Sequence, residues 1–111
     1  MQKEDFTIWQ KIYDLLVISM PIICKMPKNN RFVLGQQTES KLLELLDAVA
    51  RVNKMPVAER KKYFNQISSL LDSIQTRWQL GKDLKLISIK QYLRLMEKTN
   101  EISKLIYNWL K

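Results

Sequence analysis

No histidine occurs among the 111 residues, and cysteine occurs once, at Cys24. The first absence removes the usual general base near neutral pH, the Ser-His and Cys-His nucleophile pairs, and the commonest metal ligand. A lone thiol forms neither an internal disulfide nor a Cys-rich zinc site. Two glycines and three prolines are too few for a Gly-rich phosphate loop, and few for an all-β protein with many tight turns. Long apolar runs are scarce as well. The longest, Leu15 to Cys24, is interrupted by Ser19 and Pro21, and its ten residues fall short of the about 20 that a membrane-spanning helix needs. Glu4, Asp5 and Asp14 stand where a signal peptide would be basic, and no small-residue cleavage site follows. With the single cysteine, these features predict a cytoplasmic protein with no membrane attachment.

What is present is one domain's worth of chain, read as a single unit over 1–111. Its length buries roughly 65% of the surface exposed by the unfolded form, enough for one core. Lys plus Arg number 19 and Asp plus Glu 11, a formal charge of +8. That bias points to a polyanionic partner: nucleic acid, an anionic membrane surface or an acidic protein. The alternative is a protein that is merely basic and soluble.

Four segments carry helical periodicity. In the first, about 6–25, Ile8, Trp9, Ile12, Leu15, Leu16 and Ser19 recur at intervals of three and four. Asp5 is placed to cap it, and Pro21 to kink it or end its regular part. Pro27, Asn29 and Asn30 read as a turn. The second helix, about 33–53, gathers Leu42, Leu45, Leu46, Val49 and Val52 on one face, with Asp47 and Arg51 spaced as an ion pair. Pro56 opens the third at its first position, and the face Tyr63, Phe64, Ile67, Leu70, Leu71, Ile74 and Trp78 carries it to about Leu80. Gly81 lies near its end, and Lys82 to Lys85 leave room for another turn. Ser88 heads the fourth helix with a Ser88-Ile89-Lys90-Gln91 capping box. Ile89, Tyr92, Leu93, Met96, Ile102, Leu105, Ile106 and Trp109 form its apolar side. Four amphipathic helices with short connections and no strand signal give an all-α, antiparallel up-down four-helix bundle. Leu95, Leu105, Tyr107 and Leu110 look like a second stripe on the fourth helix, which points to self-association.

The cations are uneven along the chain. Residues 1–30 carry net +1, residues 31–76 net +2, and residues 77–111 net +5. Within the last third Lys90, Arg94 and Lys98 recur every four residues and so stack on one helix face. Like charges at that spacing repel by a few tenths of a kcal/mol per pair, a cost that a bound polyanion would remove. The alternative is a solvated face relieved by Glu97 and Glu101. Arg77, Lys82 and Lys85 lie just upstream and extend the patch. Arg60-Lys61-Lys62 forms a second cluster, with a surface charge run softened by Glu59 as its plainer reading. Trp9, Trp78 and Trp109 fall on apolar faces and read as core or subunit contacts. Cys24 reads as a small buried hydrophobe. No catalytic constellation, metal site or cofactor motif emerges, so a non-enzyme is expected.

Three stretches resemble the diversity-generating retroelement accessory variability determinant (Avd) family, within the broader four-helix bundle group related to ribosomal-RNA intervening-sequence proteins. They are Met26-Pro27-Lys28 with Arg31-Phe32-Val33-Leu34-Gly35-Gln36, the run Lys82-Asp83-Leu84-Lys85-Leu86-Ile87-Ser88-Ile89-Lys90-Gln91-Tyr92, and the closing Ile106-Tyr107-Asn108-Trp109-Leu110-Lys111. The resemblance implies an accessory subunit without catalysis of its own. It implies assembly into a homopentameric barrel that binds the retroelement's reverse transcriptase and RNA or DNA and supports error-prone cDNA synthesis. Gln75 and Gln79 stand where family members often carry arginine on the third helix, with Arg77 between them, and Gln37 replaces a further arginine. The residues expected to contact phosphate or polymerase are Lys82, Lys85, Lys90, Arg94 and Lys98, followed by Arg77 and Arg31. The rival reading is an assembly module that oligomerises and docks a protein partner without binding nucleic acid.

Overall fold

The computed structural model describes residues 3–111, with side chains from Thr7 onward. Four long helices follow one another. α1 is Lys3–Cys24. α2 covers 28–53: a first turn Lys28–Asn30, a π-helical stretch Arg31–Gly35 and the α-helix Gln36–Asn53. α3 covers 57–83, with a tighter 3₁₀ turn Lys61–Tyr63 between Val57–Arg60 and Phe64–Asp83. α4 is Ile89–Leu110. No strand occurs among the described residues. Consecutive helices pack side by side, and α4 closes the ring against α1. The result is the up-down bundle that the periodicity predicts, 44 × 23 × 20 Å.

Several boundaries differ from the sequence expectation, each for a local reason. α1 already runs at Lys3, so Asp5 sits inside it and not at its cap; the Asp5 side chain lies outside the described residues. Pro21 neither ends α1 nor stops it before Cys24. Its ring removes one ladder donor, but Pro21 and Val17 both lie on the exposed side, where water can serve the freed carbonyl. Asn29 and Asn30 are helical and do not form a turn, because Pro27 is the N-cap of α2 and its carbonyl accepts from the Arg31 N–H at 2.8 Å. Pro56 is likewise an N-cap (φ −55°, ψ 140°) and not the first helical residue. A proline before the first turn needs no donor of its own and fixes φ for the entry. Asp47 and Arg51, both exposed, make no ion pair among the described residues.

The core runs the length of the bundle. Ile12, Leu15, Leu42, Leu45, Val49, Ile67, Ile74, Leu95 and Ile106 are wholly buried, each such side chain contributing about 1.5–3 kcal/mol. The predicted faces of α2 and α3 are the buried ones, with Leu46, Tyr63 and Phe64 packed at their margins. On α4, Ile102 and Ile106 are buried as expected and Tyr92, Met96, Leu105 and Trp109 pack at the core margin, while its first turns are rotated from the expected phase. Leu95, Thr99, Ile102, Ile106 and Leu110 face inward, while Ile89 (68% exposed) and Leu93 (59%) face out. Leu95 and Leu110, read as a second stripe, are therefore core. The rotation is fixed by a buried polar pair: the Trp78 indole N–H donates to Thr99 Oγ1 at 3.0 Å, and that hydroxyl donates to the Leu95 carbonyl at 2.7 Å. Facing Thr99 inward satisfies both groups, which a buried indole requires.

Thr7–Cys24 is long and apolar enough to cross a membrane by length and composition, which the ten-residue run alone does not suggest. Its inward side, Ile8, Ile12, Leu15, Leu16, Ser19 and Ile23, is spent on the bundle core. Its outward side is also weakly polar: Tyr13, Val17, Pro21 and Cys24 are exposed. Cys24 is thus a surface thiol and not a buried one.

Candidate nucleic-acid interface

Antiparallel connectivity brings the α1–α2 turn and the α3–α4 turn to the same end of the bundle. Residues 21–35 and 77–95, which build that near end, hold eight basic residues and one acid, Asp83. A net +7 is thereby gathered from two stretches more than 40 residues apart in sequence. Lys82, Lys85, Lys90 and Arg94 share this end with Arg31 and Arg77. Lys25 and Lys28, exposed beside Pro27, belong to it too and were missed in the sequence. The available signal was topological: in an up-down bundle the first and third turns are neighbours.

The α3–α4 turn is built for display of cations. α3 ends in a Schellman motif, in which the Leu86 N–H donates to the Gly81 carbonyl at 2.8 Å and the Lys85 N–H to the Lys82 carbonyl at 2.9 Å. Lys85 occupies the left-handed position of that motif (φ 61°), where glycine is the usual residue. Ser88 then starts α4 with both bonds of its capping box, Gln91 N–H to Ser88 Oγ at 3.0 Å and Ser88 N–H to Gln91 Oε1 at 2.9 Å. The two caps make the short connection rigid. Lys82 Nζ lies 4.5 Å from the centre of the Tyr92 ring and 3.5 Å from Asp83 Oδ1. Lys90 and Arg94 are exposed on the outer side of α4 with no ion pair among the described residues.

The seven expected residues do not form one surface. Lys98 lies a turn further along α4 and faces Glu101, whose carboxyl is held below its ordinary range by the hydrogen bond from Lys11 of α1, with Lys98 adding to the effect. Arg31 donates to the Cys24 carbonyl at 3.2 Å and so helps to close α1. Arg77 is half-buried between α3 and α2. It donates to the Ser73 carbonyl at 3.2 Å, to the Ser73 hydroxyl, and to Gln37 Oε1 at 3.3 Å, while its buried Nε has no partner. Gln37 thus serves as an acceptor for Arg77, and Gln75 donates to Asn100 Oδ1 at 2.7 Å. Arg60 leaves the second basic cluster altogether. It is buried, donates to the Met55 and Asn53 carbonyls at 3.0 Å each, and lies over the Trp109 ring at 5.7 Å. It closes the C-terminal end of α2.

Apolar side chains accompany the cations. Phe32, Val33, Leu80, Leu84, Ile89 and Leu93 are exposed at the near end. Phe32 and Arg77 flank one open cleft between α2 and α3, and Lys82, Lys85, Leu86 and Ile89 flank another at the α3–α4 turn. Neither is enclosed. Among the described residues no group of three metal-ligating side chains comes together.

These features define a class: a small helical bundle whose chemistry is carried on its outside, by cations and apolar side chains at a rigid end. The match to known families is more particular. The bAvd-like family model covers residues 6–111, and the chain belongs to that family. This agrees with the resemblance carried by the 26–36, 82–92 and 106–111 stretches and supports an accessory protein of the retroelement kind. No curated protein and no solved structure gives a significant match.

Proposed function

We propose that the chain is a nucleic-acid-binding accessory subunit of a diversity-generating retroelement, acting as a basic homo-oligomer beside the reverse transcriptase in the cytoplasm. The observation that carries this reading is the net +7 at one end of the bundle, set among exposed apolar side chains. Cations neutralise phosphates and release counterions, while apolar groups and aromatic rings add contacts to bases or to a protein. Lys82, Lys85, Lys90 and Arg94, with Lys25 and Lys28, form the phosphate-facing set. Lys98, Arg31 and Arg77 support it from its margins.

Self-association is supported by the outer face of α1, where Tyr13, Val17, Pro21 and Cys24 are exposed and no charged residue occurs from Leu15 to Cys24. Ile89 and Leu93 at the start of α4 and Tyr107 near its end add further exposed apolar side chains. A pentamer would concentrate five such basic ends, and light scattering should then report a particle of five 13.2 kDa chains.

The test is RNA binding across a salt series. Wild-type protein should lose affinity steeply, with a log–log slope of about −0.7 for each phosphate neutralised on a single strand. Lys85→Glu/Lys90→Glu/Arg94→Glu should flatten that slope and weaken binding by orders of magnitude. Retention of RNA by this variant would remove the near end from the site. The assembly-module reading is favoured by the eleven large apolar side chains exposed among the described residues. It predicts instead that the variant keeps its particle mass and its hold on the polymerase, and that wild-type protein ignores RNA.

A further inference from the structure

Charge is layered along the long axis of the bundle. The opposite, far end is built from residues 3–11, 48–66 and 104–111, which hold nine basic and three acidic residues. The waist between the ends, residues 12–20, 36–47, 67–76 and 96–103, holds two basic and seven acidic residues. The ends carry +7 and +6 and the waist −5. At 1.5 Å per residue the waist spans about 12–18 Å, more than the screening length of about 8 Å at physiological salt. The two ends therefore do not share one field. A phosphate backbone laid lengthwise would have to cross the acidic waist, whereas one laid across either end would meet cations in excess of acids.

We propose that the far end is a second, independent binding surface for single-stranded nucleic acid; this rests on the reading of the partner as nucleic acid. Arg51, Lys54, Lys61, Lys62 and Lys111 are all exposed there and make no ion pair among the described residues. Arg60 is excluded, since it is spent on the carbonyls that end α2. The cations stand beside aromatic rings. Phe64 and Tyr107 meet edge to face at 6.0 Å, Lys111 Nζ lies 4.9 Å from the Phe64 ring, and Tyr107 is 54% exposed. Lysine next to an exposed ring is what a stacked base and its phosphate require, and it is indifferent to base identity. Rings stand among the near-end cations as well, since Phe32 is exposed and Lys82 lies over Tyr92; the far end differs in that two rings meet there, Phe64 and Tyr107.

The experiment is a stoichiometric titration at low salt with a poly(U) RNA too short to reach across the waist. Lys54→Glu/Lys61→Glu/Lys62→Glu should halve the number of strands bound per chain, as should the near-end variant Lys85→Glu/Lys90→Glu/Arg94→Glu. In unaltered protein, bound RNA should shield Lys61, Lys62 and Lys111 from acetylation, a readout that needs no variant to fold. If the far-end variant binds as many strands as wild type and only near-end lysines are shielded, the second surface is overturned while the nucleic-acid reading stands. If only the far-end variant loses RNA, the second surface stands and the near-end reading falls. Capture of phosphatidylserine vesicles by the far end, with no RNA bound there, overturns the proposal.

Discussion

Lys85→Gly isolates the cost of displaying a lysine at the α3–α4 turn. Lys85 holds φ 61°, and a residue with a side chain loses about 1–2 kcal/mol there. Glycine avoids that loss but loosens the unfolded chain, returning roughly 0.4–1 kcal/mol. The variant is therefore expected to be more stable by about 0.5–1 kcal/mol, since both hydrogen bonds of the motif are backbone bonds and survive the change. For a domain of this size that is a rise in Tm of about 2–5 °C, measured by circular dichroism at one fixed protein concentration, because an oligomer's Tm depends on it. The same variant should bind RNA with a salt slope shallower by about 0.7. A gain in stability with a loss of binding means that the strained position is occupied for the sake of its ammonium group. An unchanged or lower Tm refutes the structural half of this reasoning, and unchanged binding refutes the functional half.

Other perturbations test the packing. A Cβ at Gly35 would lie 2.8 Å from Ile23 Cγ2, whereas one at Gly81 would meet Ile87 at an ordinary 3.6 Å. Gly35→Ala should thus cost about 1–3 kcal/mol by crowding α1 against α2, and Gly81→Ala should gain about 0.5–1 kcal/mol of helix propensity; opposite shifts in urea midpoint check the pair. Thr99→Val strands the Trp78 indole N–H in the core and should cost about 1–3 kcal/mol, part of which Trp78→Phe in the same chain should restore. Glu101→Gln should lose about 0.5 kcal/mol or less at neutral pH, because its pair with Lys11 is exposed. A lowered carboxyl pKa stabilises above the unfolded value and is lost as pH falls through the folded one. The gap between wild type and this variant should therefore close in acid, and a gap that widens there would contradict the Lys11 pairing.

The number of helices, their order, the Ser88 capping box and the inward faces of α2 and α3 were legible because each depends on spacing within one segment. The phase of the first turns of α4 was not. Its two candidate stripes are similarly apolar, and the choice turns on the Trp78 indole finding the Thr99 hydroxyl 21 residues away. Cys24 failed for a related reason: α1 is apolar on both sides, so hydropathy does not say which side faces in. At the site, the cations of 77–98 were visible as a linear cluster. Lys25 and Lys28 were not, because only the antiparallel fold sets their turn at the same end of the bundle as Lys82 and Lys85. Arg60 looked like surface charge until the carbonyls ending α2 claimed it.

The wide turn at Arg31–Gly35 has a geometric consequence. The Gln36 N–H reaches back five residues to the Arg31 carbonyl, so this stretch carries one residue more than a regular helix of the same rise would. Removing a single residue there would let the ordinary ladder close within the same rise, and the helix on either side would keep its direction. The same deletion a turn away, in regular helix, would swing the leading segment by about 100° around the axis and turn Lys28 and Arg31 toward a different neighbour. The widened turn is thus the one place in this helix where the chain length can change by one without re-aiming the leading cations.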